Sequence, residues 1–146
     1  MTSVAQVLKG KAQGVWTISP KSSVYEALEL MAKRDIGAVP VVDDQTLVGI
    51  FSERDYARKV ALKGLISRNV KVGELMTTKV YYVKPEQTIE ECMALMTEKR
   101  IRHLPVLSEG KLIGIITIGD VVKSIIAEQA ITIQSLKDYI TGSYGV

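Results

Sequence analysis

Apolar residues recur twice along this chain in the same order. An extended run from Val15 to Ile18 stops at Pro20, and a second from Val80 to Val83 stops at Pro85. Each is followed by a helix-opening signal, Ser23-Val-Tyr-Glu26 and Thr88-Ile-Glu-Glu91. In such capping boxes a hydroxyl and a carboxylate satisfy two free backbone amides. Val24, Ala27, Leu28 and Met31 then keep helical spacing, as do Ile89, Cys92, Met93 and Met96, and the helices should end near Arg34 and Arg100. Strands are expected around Val39–Val42 and Leu104–Leu107. Polar turns at 43–46 and 108–111 lead into return strands at Leu47–Phe51 and Leu112–Ile116. A second helix opens at Ser52 and runs toward Leu62, and its counterpart opens at Thr117 and runs toward Gln129. The order is β-α-β-β-α, twice.

The two tracts align without a gap. Pro85 follows Pro20 by 65 positions, and the same offset relates Pro105 to Pro40, Gly114 to Gly49 and Asp120 to Asp55. The chain is a tandem duplication. It divides into a first copy with an N-terminal segment (1–66), a second copy (67–129) and a helical tail (130–146) carrying Ile131, Ile133, Leu136 and Ile140. The linker from Lys63 to Lys79 should hold a short helix at Val72–Met76. Neither copy can bury two helices and a small sheet alone, so the fold class is α/β (α+β): two pseudo-symmetric motifs packed as one module.

Composition narrows the chemistry. Among 146 residues there is one cysteine, Cys92, and one histidine, His103, so an internal disulfide, a zinc cluster and a histidine-based triad are all excluded or nearly so. Cys92 falls on the inner face of a helix and reads as core. The net charge of +3 comes from interspersed charges, and aromatics make up 5% of residues. That pattern weighs against a nucleic-acid binder and suits a small anionic ligand. No apolar run reaches membrane-span length, and the expected setting is a soluble cytoplasmic one. Neither Gly-x-x-x-x-Gly-Lys-Ser/Thr nor Gly-x-Gly-x-x-Gly occurs, and a non-catalytic role is expected.

The remaining chemistry sits in two turns, Gly49-Ile-Phe-Ser-Glu-Arg-Asp55 and Gly114-Ile-Ile-Thr-Ile-Gly-Asp120. A glycine late in a strand permits close approach, by packing or by a ligand. The hydroxyls of Ser52 and Thr117 stand where a helix begins, beside free N–H groups that favour phosphate. Asp55 and Asp120 are acceptor-only carboxylates able to hold two neighbouring ribose hydroxyls. The alternative is that both turns are simply helix caps, although capping boxes prefer Glu or Gln where these use Asp.

These turns, with Ile36-Gly-Ala-Val-Pro-Val41 and Ile101-Arg-His-Leu-Pro-Val106, resemble the tandem pair of cystathionine-β-synthase (CBS) domains called a Bateman module, over about residues 15 to 128. The resemblance implies a stand-alone sensor that binds an adenosine compound such as AMP, ADP, ATP or NAD in a cleft between the paired domains. It also implies a homodimer and an unidentified protein partner. On the same grounds the cleft would be lined just around the Pro-Val step, by Ala38, Val39 and Pro40 in one copy and Arg102, His103, Leu104 and Pro105 in the other. Thr17, Ile18 and Ser19, with Tyr82, Val83 and Lys84, would lie near the base, Ser52 and Thr117 near phosphate, and Asp55 and Asp120 near ribose.

Arg54 and Arg58 lie four apart, on one helical face, and either reach the same anion or form a solvated basic face. His103 meets phosphate or is a surface or capping histidine. The second copy has Gly119 and Lys123 in place of the two arginines, so one well-formed site is expected and the other is vacant or weaker. The competing reading is a ligand-free dimerisation module.

Overall fold

The computed structural model describes residues 1–11 and 14–142. Two antiparallel hairpins anchor it: β1 (Ala38–Asp43) with β2 (Thr46–Ser52), and β3 (His103–Ser108) with β4 (Lys111–Thr117). Both connections are two-residue turns with positive φ at each centre, 47° and 67° at Asp44 and Gln45, 51° and 78° at Glu109 and Gly110. That geometry matches the twist of the strands it joins. The registers correspond copy to copy, Ala38 opposite Ser52 and His103 opposite Thr117, with a bulge after Val41 and after Val106.

The helices that precede the hairpins, α2 (Val24–Arg34) and α5 (Ile89–Lys99), begin and end where expected. Ser23 forms a complete capping box with Glu26. At Thr88 only half of it forms, because Glu91 Oε2 instead accepts from Gln87 Nε2 at 3.0 Å. Both helices stop at a left-handed residue, Asp35 or Arg100.

The expected first strands shrink to single parallel bridges, Ile18 with Val41 and Val83 with Val106. The prolines explain it. Ile18 N–H donates to Pro40 O and Ile18 O accepts from Val42 N–H. Extending that ladder would require an N–H at Pro40 on one side and at Pro20 on the other, and neither has one. Pro105 and Pro85 limit Val83 in the same way.

A helix that sequence reading did not anticipate, α1 (Val4–Gly10), reveals how the halves interlock. It lies on the second copy: Val4 N–H bonds Gln87 O, Ala5 N–H bonds Pro85 O, and Val4 is buried with Val83, Leu104 and Ile116. The linker helix α4 (Val72–Leu75) does the same for the first copy, through Val72 N–H to Ser22 O and Gly73 N–H to Pro20 O. Val72 is buried there with Val24, Val39 and Phe51. The segment leading into each copy therefore covers the other copy.

These covers account for two glycines. A Cβ on Gly49 would stand 2.6 Å from Met76 Sδ and 2.9 Å from Thr77 O, and one on Gly114 would stand 2.6 Å from Leu8 Cδ2. Close packing, rather than ligand approach, is what these positions require.

After the hairpins the copies diverge. Behind β2, α3 (Glu53–Asp55) gives way to a π-helical stretch, Tyr56–Ala61. Behind β4, α6 (Ile118–Thr141) runs 24 residues without interruption. The expected separate tail is thus the direct continuation of the second copy's last helix.

Candidate functional site

Both Gly-to-Asp turns close as capping boxes. Ser52 N–H and Oγ donate to Asp55 Oδ2 at 2.9 and 3.0 Å, and Asp55 N–H returns to Ser52 Oγ at 3.1 Å. Thr117 and Asp120 repeat the exchange at 2.9 and 3.1 Å. The expectation that Asp would disfavour this cap is corrected by the further donors that hold each carboxylate over its turn. Thr77 Oγ1 donates to Asp55 Oδ1 at 3.1 Å and Lys59 Nζ lies 3.0 Å from the same oxygen. Lys11 Nζ lies 2.9 Å from Asp120 Oδ2 and donates to Ile115 O at the same length. Burial works to raise the Asp120 pKa, but the Lys11 and Thr117 hydrogen bonds outweigh it and hold the carboxyl below its usual range.

Beside the Asp55 turn there is nevertheless room. A cleft of about 560 Å³ opens between the halves. The first copy contributes Ala38, Ser52, Arg54, Asp55 and Arg58 to its wall, and the second contributes Arg102, His103 and Pro105. Eight of the sequence-predicted residues are thereby brought together across the pseudo-twofold. Arg54 Nη1 donates to Arg100 O at 3.0 Å, tying one side of the cleft to the other. Glu53 N–H bonds Gly37 O and Ile118 N–H bonds Arg102 O, so each Pro-Val strand is fixed against the helix start that follows it.

The wall is strongly cationic: Arg54, Arg58, Lys59, Lys79 and Arg102 face Glu53 and Asp55. Lys59 is compensated by Asp55, whereas Arg58, Lys79 and Arg102 have no carboxylate within ion-pair distance among the described residues. Burial, then the neighbouring Arg102 and Lys11, lower the His103 pKa below 6.5, with Asp120 opposing. At neutral pH its imidazole is uncharged and can both donate and accept.

Other predicted residues lie elsewhere. Val39, Val83 and Leu104 are fully buried in the two apolar cores, so their side chains pack there. Pro40 is buried in β1, Ile18 packs against the first core, and Thr17, Ser19, Tyr82 and Lys84 are exposed outside the cleft wall. Thr117 and Asp120 form the second corner, where Lys11 sits, and do not line this cleft. Tyr81, Thr77 and Lys79 also line it. Their sequence signal is weak, since all three lie in an irregular stretch between the linker helix and Pro85. Among the described residues no cluster of three metal-ligating side chains occurs.

Comparison with known proteins agrees with this architecture. The CBS domain family profile matches residues 12–62 and 72–127. The chain is 40% identical to CBS domain-containing protein CBSX3, mitochondrial, of Arabidopsis thaliana, over 98% of this chain and 74% of that one. A solved protein with CBS domains from Burkholderia ambifaria is 55% identical, with a TM-score of 0.84 over 88% of this chain and 96% of its own. CBSX2, solved in complex with AMP, is 33% identical with a TM-score of 0.71, covering 88% and 99%. The chain belongs to the CBS-domain family, as a tandem pair.

Proposed function

We propose that this member of the CBS-domain family is a non-catalytic regulatory module that binds an adenine nucleotide, AMP, ADP, ATP or NAD, in the cleft between its halves. The observation that carries the reading is a cavity of about 560 Å³ walled by cations from both copies. Arg58, Lys79 and Arg102 would meet phosphate, with the Ser52 hydroxyl at the helix start beside them. Asp55 Oδ1 would accept ribose hydroxyls in exchange for the Thr77 hydroxyl it now accepts. Tyr81 offers an aromatic face for the base. The AMP complex of CBSX2 supports the ligand class.

Occupancy would change how the halves pack, by no more than the ligand's difference in affinity between the two arrangements. The second corner differs. With Lys11 on Asp120 and with Gly119 and Lys123 in place of the arginines, it binds weakly or not at all. The reading includes the homodimer and a protein partner that responds to ligand.

A second reading, an empty interaction module, draws on the saturation of both carboxylates by the chain's own donors. Calorimetry with the four nucleotides on the parent and on Arg102→Ala decides between them. Saturable heat in the parent, with affinity weakened about ten-fold in the variant, supports the sensor, and no heat at millimolar nucleotide leaves only the module.

A further inference from the structure

The last helix has two different apolar faces. Val121 is buried, Ile125 packs on the core of the second half, and Glu128 accepts from Thr2 N–H at 2.7 Å, so this face belongs to the module. A quarter-turn away, Val122, Ile126, Gln129, Ile133, Leu136 and Ile140 recur at alternating intervals of four and three. That is a heptad seam, with isoleucine at the three a positions and Val122, Gln129 and Leu136 at d. Its five aliphatic side chains are 47, 59, 54, 58 and 81% exposed in chain order.

A helix extension with such a ridge is marginal in water by itself.

We infer that this seam pairs with the same seam of a second copy, in parallel and in register. Three features choose that occupant. Isoleucine at every a position is the β-branched choice that, with leucine at d as at Leu136, favours two parallel strands. Gln129, the one polar seam residue, would face its own counterpart, and a side-chain amide both donates and accepts, so the pair satisfies itself. An apolar foreign helix would strand it. An antiparallel pairing would set Gln129 against Ile133 and bring Lys123 beside Lys137, a like-charge contact that the parallel arrangement avoids.

This inference rests on the homodimer reading only for the existence of a partner copy, and it does not involve nucleotide. The test is disulfide trapping in the full chain with Ile126→Cys and Ile140→Cys made separately, and Ile131→Cys, on the opposite side of the helix, as control. Native Cys92 is buried and contributes no background. Mild oxidation should trap dimers at 126 and at 140 at least ten-fold more than at 131. An antiparallel pair would link neither position to itself. Sedimentation of the parent separates the two ideas. A dimer that fails to cross-link at 126 and 140 overturns the seam and leaves the homodimer standing, whereas a monomer overturns both.

Discussion

Lys11 Nζ lies 2.9 Å from Asp120 Oδ2, joining the residue that caps the first helix to the first turn of the last, 109 positions further along the chain. The ammonium also donates to Ile115 O, so one side chain ties the N-terminal cover to both β4 and α6.

Lys11→Ala should destabilise the fold by about 1 kcal/mol, because a partly buried charge-assisted bond is lost and Asp120 keeps its cap. The Asp120 pKa is depressed in the folded state, so the contribution is present above about pH 3.8 and disappears as pH falls through the lower folded value. Urea titrations of parent and variant should therefore differ less at pH 3 than at pH 7.

Gly49→Ala and Gly114→Ala should differ. The first puts a methyl against Thr77 backbone oxygen as well as Met76, so it should cost about 1–3 kcal/mol. The second meets only the flexible tip of Leu8 and should cost less. Equal midpoint shifts in denaturant would contradict the packing account.

Burial holds His103 below its ordinary pKa of 6.5, so protonation favours the unfolded chain. Its contribution is intact above pH 6.5 and is lost as pH falls from there toward the folded pKa. His103→Gln should flatten the stability profile between pH 7 and pH 5, read as melting temperature against pH.

In the cleft, Arg102→Ala and Arg58→Ala should each weaken nucleotide binding about ten-fold, the scale of one lost charged hydrogen bond. Lys123→Ala, on the second copy, should leave the affinity unchanged. Calorimetry at fixed ionic strength provides the comparison.

Burial, aided by Glu91 and Glu90, pushes the Cys92 thiol up to about 11. Native protein should therefore react with a thiol reagent far more slowly than unfolded protein, by at least 100-fold in rate at pH 8.

Both hairpins and their flanking helices were readable from the 65-residue repeat, because turn chemistry and apolar period agree there, whereas a cleft lined by Arg102 and His103 was implied only by the family resemblance, and Arg54 and Arg58 read equally well as a solvated basic face. Three things were not. The parallel strands look longer in sequence than they are, since the ladder bonds that the prolines forbid depend on which residues lie opposite. Helix α1 has only Val4, Val7 and Leu8 as its apolar signal, and its counterpart at Val72 lies outside the constant offset. The aspartate caps could not be told from ribose ligands because Thr77 and Lys11, which hold them, come from segments distant in sequence or irregular in pattern.

Each lead-in segment seals the copy it does not precede, which makes the two halves mutually dependent. Cutting the chain at the linker would leave each fragment carrying a lid made for its neighbour, with its own hairpin uncovered. The fragments could regain order only by finding each other. Duplication here joined two incomplete pieces into one self-sufficient fold, and a motion in either half must be felt through the arm it lends.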